Sequence, residues 1–290
     1  DACMGTEVMC GSDSGFGPYF DLLFQYGHGQ FSTKLWNDLL RDCGIAHLQY
    51  SVEPAINDQV CSPHLQDVGA QVGGYYAYNL YDTCTYDNAF RRRAQVVSAD
   101  TKIIDNNKDG RATVSPLHGA VNNYVCGGGN VLTEYMGLKS VRQALNVPIN
   151  SNFFSGDNAE GMVYTLTEKN LMPLFQHLAS AAGGAVAAMV YNGDTDPSIN
   201  SFAAQNWTSA LGIPTERDGA WRPWTLDNCQ DMGGYTTRYQ GNLQFTTIRG
   251  SGHMVPTYKP RQALELMRAF LADVPLPKYD ASCTAPPTSK

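Results

Sequence analysis

The stretch of sequence that decides the fold is AVAAMVYNGDTDP, residues 185–197. Its first seven residues form a continuous apolar run, with glycines on both sides and too short for a helix of its own, which is typical of a buried parallel strand. Behind this predicted strand come Gly193 and two carboxylates, Asp194 and Asp196. Since functional side chains gather just past the carboxyl ends of strands in open parallel sheets, the stretch predicts a strand and a site together.

A second stretch repeats this arrangement further along the chain. Residues 243–248 alternate between apolar and polar side chains as a strand does, and Gly250-Ser251-Gly252-His253 follows shortly after. A carboxylate and then a histidine, each just past a strand, is the second half of the chain order Ser, Asp, His that α/β-hydrolases use. In such a triad the histidine takes the proton of a serine hydroxyl, while the carboxylate fixes the imidazole tautomer and stabilises the imidazolium.

Helical patterns surround these two strands. Ser32 or Thr33 is the predicted N-cap of the first helix, and Pro173 is expected to interrupt a later one near its start. Alternation of strand and helix over the last hundred or so residues argues for an α/β fold with a parallel sheet. The predicted helices cover residues 31–40, 65–72, 135–145, 171–178 and 202–211, with a last helix that begins at Pro260.

Composition excludes several classes of partner. The chain of 290 residues is 43% hydrophobic and 16% charged, which indicates a folded protein rather than a disordered one. Its 20 basic and 27 acidic side chains give a net charge of −7, so nucleic acids and anionic membranes are not expected as partners. No apolar stretch is long enough to span a bilayer, so the sequence predicts no membrane segment.

The eight cysteines favour an oxidising compartment. They form no C-x-x-C pair and no zinc-like spacing with histidine, so disulfides are favoured, with reduced thiols in a cytosolic protein as the alternative. Asn206-Trp207-Thr208 is a glycosylation sequon, which has meaning only in a secretory protein. A secreted, lysosome-like or vacuole-like location is therefore predicted. The cysteines are Cys3, Cys10, Cys43, Cys61, Cys84, Cys126, Cys229 and Cys283.

The strand-end residues also have a simpler explanation. An aspartate after a strand is often a turn or cap residue, and a lone histidine is often structural. Spacing alone does not separate Asp194 from Asp196 as the candidate acid. The remaining histidines have no comparable setting, so we interpret them as structural or surface residues; they are His28, His47, His64, His118 and His177.

The nucleophile of such a triad is missing from the sequence. The elbow pattern G-x-S-x-G puts serine on a strained turn between a strand and a helix, and no serine of this chain has it. The chain opens at Asp1 without an initiator methionine or a basic-then-apolar leader, which is expected of a processed product or a fragment. Three explanations stay open: a serine upstream of Asp1, a serine on another chain, or a protein that is not a hydrolase.

Several motifs carry a resemblance to a known family. They are Val190–Asp196, Arg222-Pro223-Trp224, Gly233–Tyr239 and Ile248–Pro256, together with the earlier Tyr78–Cys84 and Val141–Asn146. On these motifs essentially the whole chain resembles the serine carboxypeptidases of the cathepsin A and carboxypeptidase Y kind. The resemblance implies the C-terminal part of an α/β-hydrolase core sheet with a disulfide-bonded, mainly helical cap insertion.

The resemblance also implies a role for each matching residue. His253 is the implied general base and Asp196 the implied catalytic acid, with Asp194 as a supporting turn residue. Met254 is implied to line the leaving-group side of the substrate cleft. Ile199 stands near the scissile bond where some relatives have a cysteine, so sensitivity to thiol reagents of that kind is not expected.

The missing serine has a place in this resemblance. Relatives carry it in a Gly-Glu-Ser-Tyr elbow in the first part of the chain, with the oxyanion donors, and residues 1–7 resemble a stretch after that elbow. The chain is therefore expected to be the downstream part of a serine carboxypeptidase, inactive alone, with an upstream chain of the same precursor as partner and peptides as substrates. The alternatives are a serine carboxypeptidase-like acyltransferase and a non-catalytic binding or structural relative.

The expected domain division follows the same pattern. Residues 1–10 are assigned to the end of an upstream core segment, residues 11–125 to the cap, and residues 126–290 to the C-terminal part of the hydrolase core. The resemblance implies cap disulfides between Cys43 and Cys61 and between Cys84 and Cys126. Cys3 with Cys10 and Cys229 with Cys283 are the pairs that remain.

One motif imitates a calcium-binding loop. Asp105, Asn107, Asp109 and Gly110 match its start, but the twelfth position is Pro116 instead of glutamate. A hydrated turn is the preferred interpretation. The sequence thus predicts no metal site and no cofactor.

Overall fold

A computed structural model of the chain describes residues 17–50, 52–82, 135–150, 170–180, 186–226 and 231–282. The helices in these ranges are α1 (Tyr19–Gly27), α2 (Thr33–Asp42), α3 (Ile45–Gln49), α4 (Asp58–Val72), α5 (Lys139–Ala144), α6 (Met172–Ser180), α7 (Ser201–Ala210), α8 (Val255–Tyr258) and α9 (Pro260–Leu271). The strands are β1 (Ala188–Gly193), β2 (Arg222–Thr225), β3 (Met232–Tyr239) and β4 (Leu243–Ile248). None of these helices is both long and apolar enough to cross a membrane.

The four strands form one mixed sheet in the order β1-β4-β3-β2. β1 and β4 are parallel, whereas β3 runs antiparallel to both β4 and β2. The predicted parallel strand therefore exists, but it begins at Ala188, three residues late. The expectation that it is buried is wrong, because within the described residues β1 pairs on one side only and Tyr191 keeps 44% of its surface exposed.

Both faces of the sheet are covered by helices. On one face α7 packs Ala204 and Trp207 against Phe245 of β4. On the other face α9 packs Leu266 and Ala269 in one cluster with residues of β2 and β4. Burial of these apolar side chains, at roughly 25 cal/mol per Å², holds the layers together. It thereby fixes the end of the sheet at which the loops after β1 and β4 lie.

The antiparallel strands β2 and β3 were not predicted from the sequence. Pro223 and the glycine pair Gly233-Gly234 are signals that usually end a strand. In the structure the glycines make room for the indole of Trp224, since a Cβ at Gly233 would lie 2.2 Å from that ring. The Trp224 Nε1–H then donates to the carbonyl oxygen of Thr247 at 3.1 Å. Packing across strands thus overrides the local turn signals.

Helices α1 to α4 build a separate apolar cluster. α2 begins as predicted, with the Ser32 hydroxyl accepting a hydrogen bond from the backbone N–H of Leu35, and its apolar stripe of Leu35, Trp36 and Leu39 is buried. α4 begins at Asp58, seven residues before the predicted start. In α6, Pro173 is the second helical residue and starts the helix instead of interrupting it, because the first turn needs no N–H from it.

One predicted disulfide lies in the described part of the chain. Cys43 at the end of α2 is bonded to Cys61 of α4, with a Cα–Cα distance of 4.9 Å. A cross-link of this loop length stabilises a fold by about 3 kcal/mol in the chain-entropy model. The other six cysteines lie outside the described residues; they are Cys3, Cys10, Cys84, Cys126, Cys229 and Cys283.

The chain divides into two compact units. The first draws on Asp1–Gly73, Ala77–Leu80 and Leu166–Lys290, and the second on Gly74–Tyr76 and Tyr81–Thr165. The predicted domain boundaries at residues 10/11 and 125/126 fall outside the described residues and stay predictions. The calcium-like motif at residues 105–110 also lies outside them.

Candidate active site

The loops after β1 and β4 bring an aspartate and a histidine together. The Oδ2 atom of Asp196 lies 2.8 Å from Nδ1 of His253. The Asp196 side chain is 4% exposed and that of His253 is 36% exposed. A buried carboxylate therefore contacts an imidazole whose other parts reach the surface, which is the geometry required of an acid–base pair at the rim of a site.

The hydrogen bonds of Asp196 determine which nitrogen of the His253 imidazole carries the hydrogen. Its second oxygen, Oδ1, accepts the backbone N–H of Ser198 at 2.9 Å, so both carboxylate oxygens have a donor. An ionised carboxylate can only accept, so Nδ1 of His253 carries the hydrogen and donates it. In the neutral ring this leaves the lone pair on Nε2, the atom that can take up a proton.

Asp194, the second carboxylate of this turn, holds the backbone of the histidine loop. Its Oδ1 atom accepts the N–H of Gly250 at 2.6 Å. Burial raises the pKa of the Asp194 carboxyl above its ordinary value, and hydrogen bonds from the N–H groups of Gly250 and Ser251 offset part of the rise. The alternative that the sequence left open thus acquires a geometric answer: Asp196 contacts the imidazole, and Asp194 contacts the loop that carries it.

The raised pKa of Asp194 predicts a pH-dependent stability. The folded protein binds the proton of the Asp194 carboxyl more tightly than the unfolded chain does. The contribution of this carboxyl to stability is therefore full below its unfolded pKa and is lost as pH rises through its folded pKa. Asparagine does not titrate. The difference in free energy of unfolding, Asp194→Asn minus the unchanged protein, should therefore increase as pH rises from the unfolded pKa of Asp194 through its folded pKa. Urea unfolding at acidic and neutral pH measures the difference, and a constant difference would contradict the expectation.

Two glycines allow close backbone packing around the Asp196–His253 pair. A Cβ at Gly193 would lie 2.2 Å from the carbonyl oxygen of Ser251, and one at Gly252 would lie 2.2 Å from that of Tyr78. The close approach is fixed by a hydrogen bond from the N–H of Thr195 to the carbonyl oxygen of Ser251, at 2.9 Å. A side chain at Gly193 must push the two loops apart, and one at Gly252 must push the histidine loop away from Tyr78.

Gly193→Ala is accordingly expected to destabilise the fold by about 2–3 kcal/mol. Gly69→Ala is the matched control, because no atom lies within 4 Å of a Cβ at this position in α4. That variant should gain about 0.5–1 kcal/mol from helix propensity. Denaturant unfolding of both variants is the measurement, and equal stabilities would refute the steric explanation.

A short segment, Tyr78–Leu80, also contacts both loops and has no role in the sequence analysis beyond belonging to a resembling motif. The N–H of His253 donates to the carbonyl oxygen of Tyr78, and the N–H of Leu80 donates to that of Thr195, each at 2.8 Å. The Thr195 hydroxyl donates to Oδ1 of Asn79 at 2.9 Å. Because these contacts join residues more than a hundred positions apart, only the motif itself could have marked the segment.

The other predicted site residues lie near the pair or on the surface. Met254 and Ile199 are half-buried, and their predicted contact with substrate stays a prediction. Met254 is the N-cap of α8, and the carbonyl of Ile199 accepts a hydrogen bond from the side chain of Asn192. Asn206 is exposed on α7, and its glycosylation stays a prediction.

The remaining described histidines make local contacts. His28 and His47 bond backbone carbonyls of Phe24 and Glu53, and His64 lies 2.9 Å from a carboxylate oxygen of Asp42. His177 is exposed on α6, and His118 lies outside the described residues. In the part of the chain that the structure describes, no three His, Cys, Asp or Glu side chains gather in a way that could hold a metal ion.

Two neighbouring parallel strands deliver an aspartate and then a histidine to one hydrogen-bonded pair, which is the chain order and the pairing that the acid and base of α/β-hydrolases have. A model of the serine carboxypeptidase family matches residues 15–273. The chain belongs to the serine carboxypeptidase family.

Individual relatives agree with this assignment. The serine carboxypeptidase ctsa-4.1 of Caenorhabditis elegans is 26% identical over 86% of this chain and 52% of its own length. The putative serine carboxypeptidase-like 30 of Arabidopsis thaliana is 28% identical over 87% of this chain and 49% of its own length. The chain thus spans about half the length of the curated relatives that it matches along most of its length.

A solved structure supports the fold. The crystal structure of Kex1(delta)p, a prohormone-processing carboxypeptidase from Saccharomyces cerevisiae, superposes with a TM-score of 0.53 at 14% identity. The match covers 90% of this chain and 52% of that one. The α/β-hydrolase fold predicted from the motifs is confirmed.

Proposed function

We propose that this chain supplies Asp196 and His253 to the Ser-Asp-His triad of a serine carboxypeptidase that removes C-terminal residues from peptides. The observation that carries the proposal is the 2.8 Å contact between Asp196 Oδ2 and His253 Nδ1. The serine belongs, on this proposal, to an upstream segment or chain of the same precursor, so the chain alone is inactive.

The geometry of the pair suits general base catalysis. Nε2 of His253 takes the proton as the serine hydroxyl attacks the scissile carbonyl, and the imidazolium that forms is stabilised by the buried carboxylate of Asp196. The same proton then passes to the leaving amino acid. In the second half-reaction water attacks the acyl-enzyme, and His253 again takes and returns a proton.

The edge of the sheet supports an upstream partner. In the described ranges β1 pairs only with β4, so its other backbone edge faces away from the sheet. An edge strand with unsatisfied N–H and C=O groups is a template for another strand. Since the chain spans about half the length of its relatives, a strand from the other half is the occupant that this edge best fits.

The disulfide supports an extracytosolic location. Stable disulfides form in secreted proteins and in the compartments of the secretory pathway, and the Cys43–Cys61 bond joins two helices of one apolar cluster. The exposed position of Asn206 leaves its sequon accessible for a glycan. A secreted, lysosomal or vacuolar glycoprotein is therefore our proposal.

The products of the complete enzyme test this function. Incubated with a peptide that has a free C-terminus, the enzyme should release amino acids one at a time from that end, as mass spectrometry detects. The same peptide with an amidated C-terminus is the matched control and should be cleaved much more slowly. Transfer of an acyl group from an activated ester to an alcohol, with the peptide left intact, would indicate an acyltransferase. Absence of both products would indicate a non-catalytic relative.

A further inference from the structure

The segment Tyr78–Leu80, which we call the strap, holds both catalytic loops at once. It clusters with the first compact unit, although the chain on either side of Ala77–Leu80 belongs to the second. Asn79 and Leu80 are buried. The strap therefore belongs to the same compact unit as the residues of the candidate site.

On the histidine side, the strap contacts both the backbone and the ring of His253. The carbonyl oxygen of Tyr78 accepts the N–H of His253 at 2.8 Å. The ring of Tyr78 lies 4.8 Å from the imidazole between centroids, at an interplanar angle of 38°. Gly252 fits closely against the strap, since a Cβ there would lie 2.6 Å from that of Asn79. The imidazole is thus fixed from its backbone and from one face.

On the aspartate side, the strap bonds the residue directly before Asp196. Thr195 accepts the N–H of Leu80 at its carbonyl and donates its hydroxyl to Oδ1 of Asn79. Both side chains of the second bond are buried, so its loss cannot be compensated by solvent without opening the site. A displacement of Thr195 would carry the Asp196 carboxylate with it.

We propose that Asn79 and Tyr78 are positioning residues that keep the carboxylate of Asp196 and the imidazole of His253 at the distance and orientation that proton transfer requires. The inference rests on the proposed function. A catalytic pair must be held to within about 0.5 Å of its productive geometry by residues that are themselves locked in place. The strap supplies such a lock because it is bonded to both loops through three consecutive residues.

The test removes the buried side-chain bond from either end in the complete enzyme. Asn79→Ala and Thr195→Val should each lower kcat about 10- to 100-fold with little change in KM, and the double variant should fall no further than the worse single one. Thr195→Ser keeps the hydroxyl, so its kcat should stay close to that of the unchanged enzyme. Thr236→Val is the matched control, because it removes a buried hydroxyl that bonds the carbonyl of Phe245, and it should leave kcat unchanged.

A spectroscopic readout separates this proposal from the proposed function. The Nδ1 proton shared with Asp196 should give a far-downfield proton resonance that is absent from His253→Ala. In Thr195→Val it should shift or broaden, whatever reaction the enzyme catalyses. An unchanged resonance and an unchanged kcat in Asn79→Ala and Thr195→Val would overturn the strap's role. Full turnover in His253→Ala would overturn the proposed function instead.

Discussion

Replacing His253 by alanine in the complete enzyme is expected to lower kcat by about 10⁴- to 10⁶-fold. The alanine variant lacks the imidazole whose Nε2 atom takes the serine proton. No imidazolium then forms for the Asp196 carboxylate to stabilise. Because the His253 side chain is 36% exposed and lies past the end of β4, the fold should persist. Steady-state kinetics with a peptide substrate, together with a thermal melt, measure both effects.

The control for this variant is another histidine outside the pair. His177 is exposed on α6, so His177→Ala should keep kcat within about twofold, as expected of a surface substitution. A kcat for His253→Ala within tenfold of the unchanged enzyme would contradict the assignment of the base. Absence of turnover in the unchanged enzyme would favour a non-catalytic relative.

Replacing Asp196 by asparagine is expected to lower kcat about 10⁴-fold while preserving the shape of the side chain. The amide can present an N–H where the carboxylate oxygen accepted the hydrogen of Nδ1. The imidazole then adopts the other tautomer, with its hydrogen on Nε2, and cannot take the serine proton. KM should change little, because Asp196 is buried behind the ring.

Asp194→Asn is the matched control for this substitution. Its side chain bonds the N–H of Gly250, and an asparagine oxygen can accept the same hydrogen bond. We expect its kcat to stay within about tenfold, because it acts on the loop and not on the ring. A larger loss in Asp194→Asn than in Asp196→Asn would reverse the assignment of the two carboxylates.

Local signals predicted the elements whose ends are set locally. β4 has the predicted bounds, α9 begins at the predicted Pro260, and Ser32 caps α2. Distant contacts decided the elements that were missed. β2 and β3 pair across a proline and a pair of glycines, and Trp224 packs into the space that the glycines leave. β1 lies at the edge of the sheet in the described residues because strand order depends on pairing, which the sequence of one strand does not encode.

The sequence by itself determined that an aspartate turn and a histidine loop follow two strands, because apolar runs, glycines and titratable residues stand at fixed positions along the chain. Spacing alone left two carboxylates equally suited to be the acid, and only the resemblance to the family favoured Asp196. Only the tertiary structure gave them different partners, Gly250 for Asp194 and His253 for Asp196. The physical reason is that the partner of each carboxylate depends on how three separate segments approach one another. The hydrogen bonds between these segments form only once the two loops and the strap pack together.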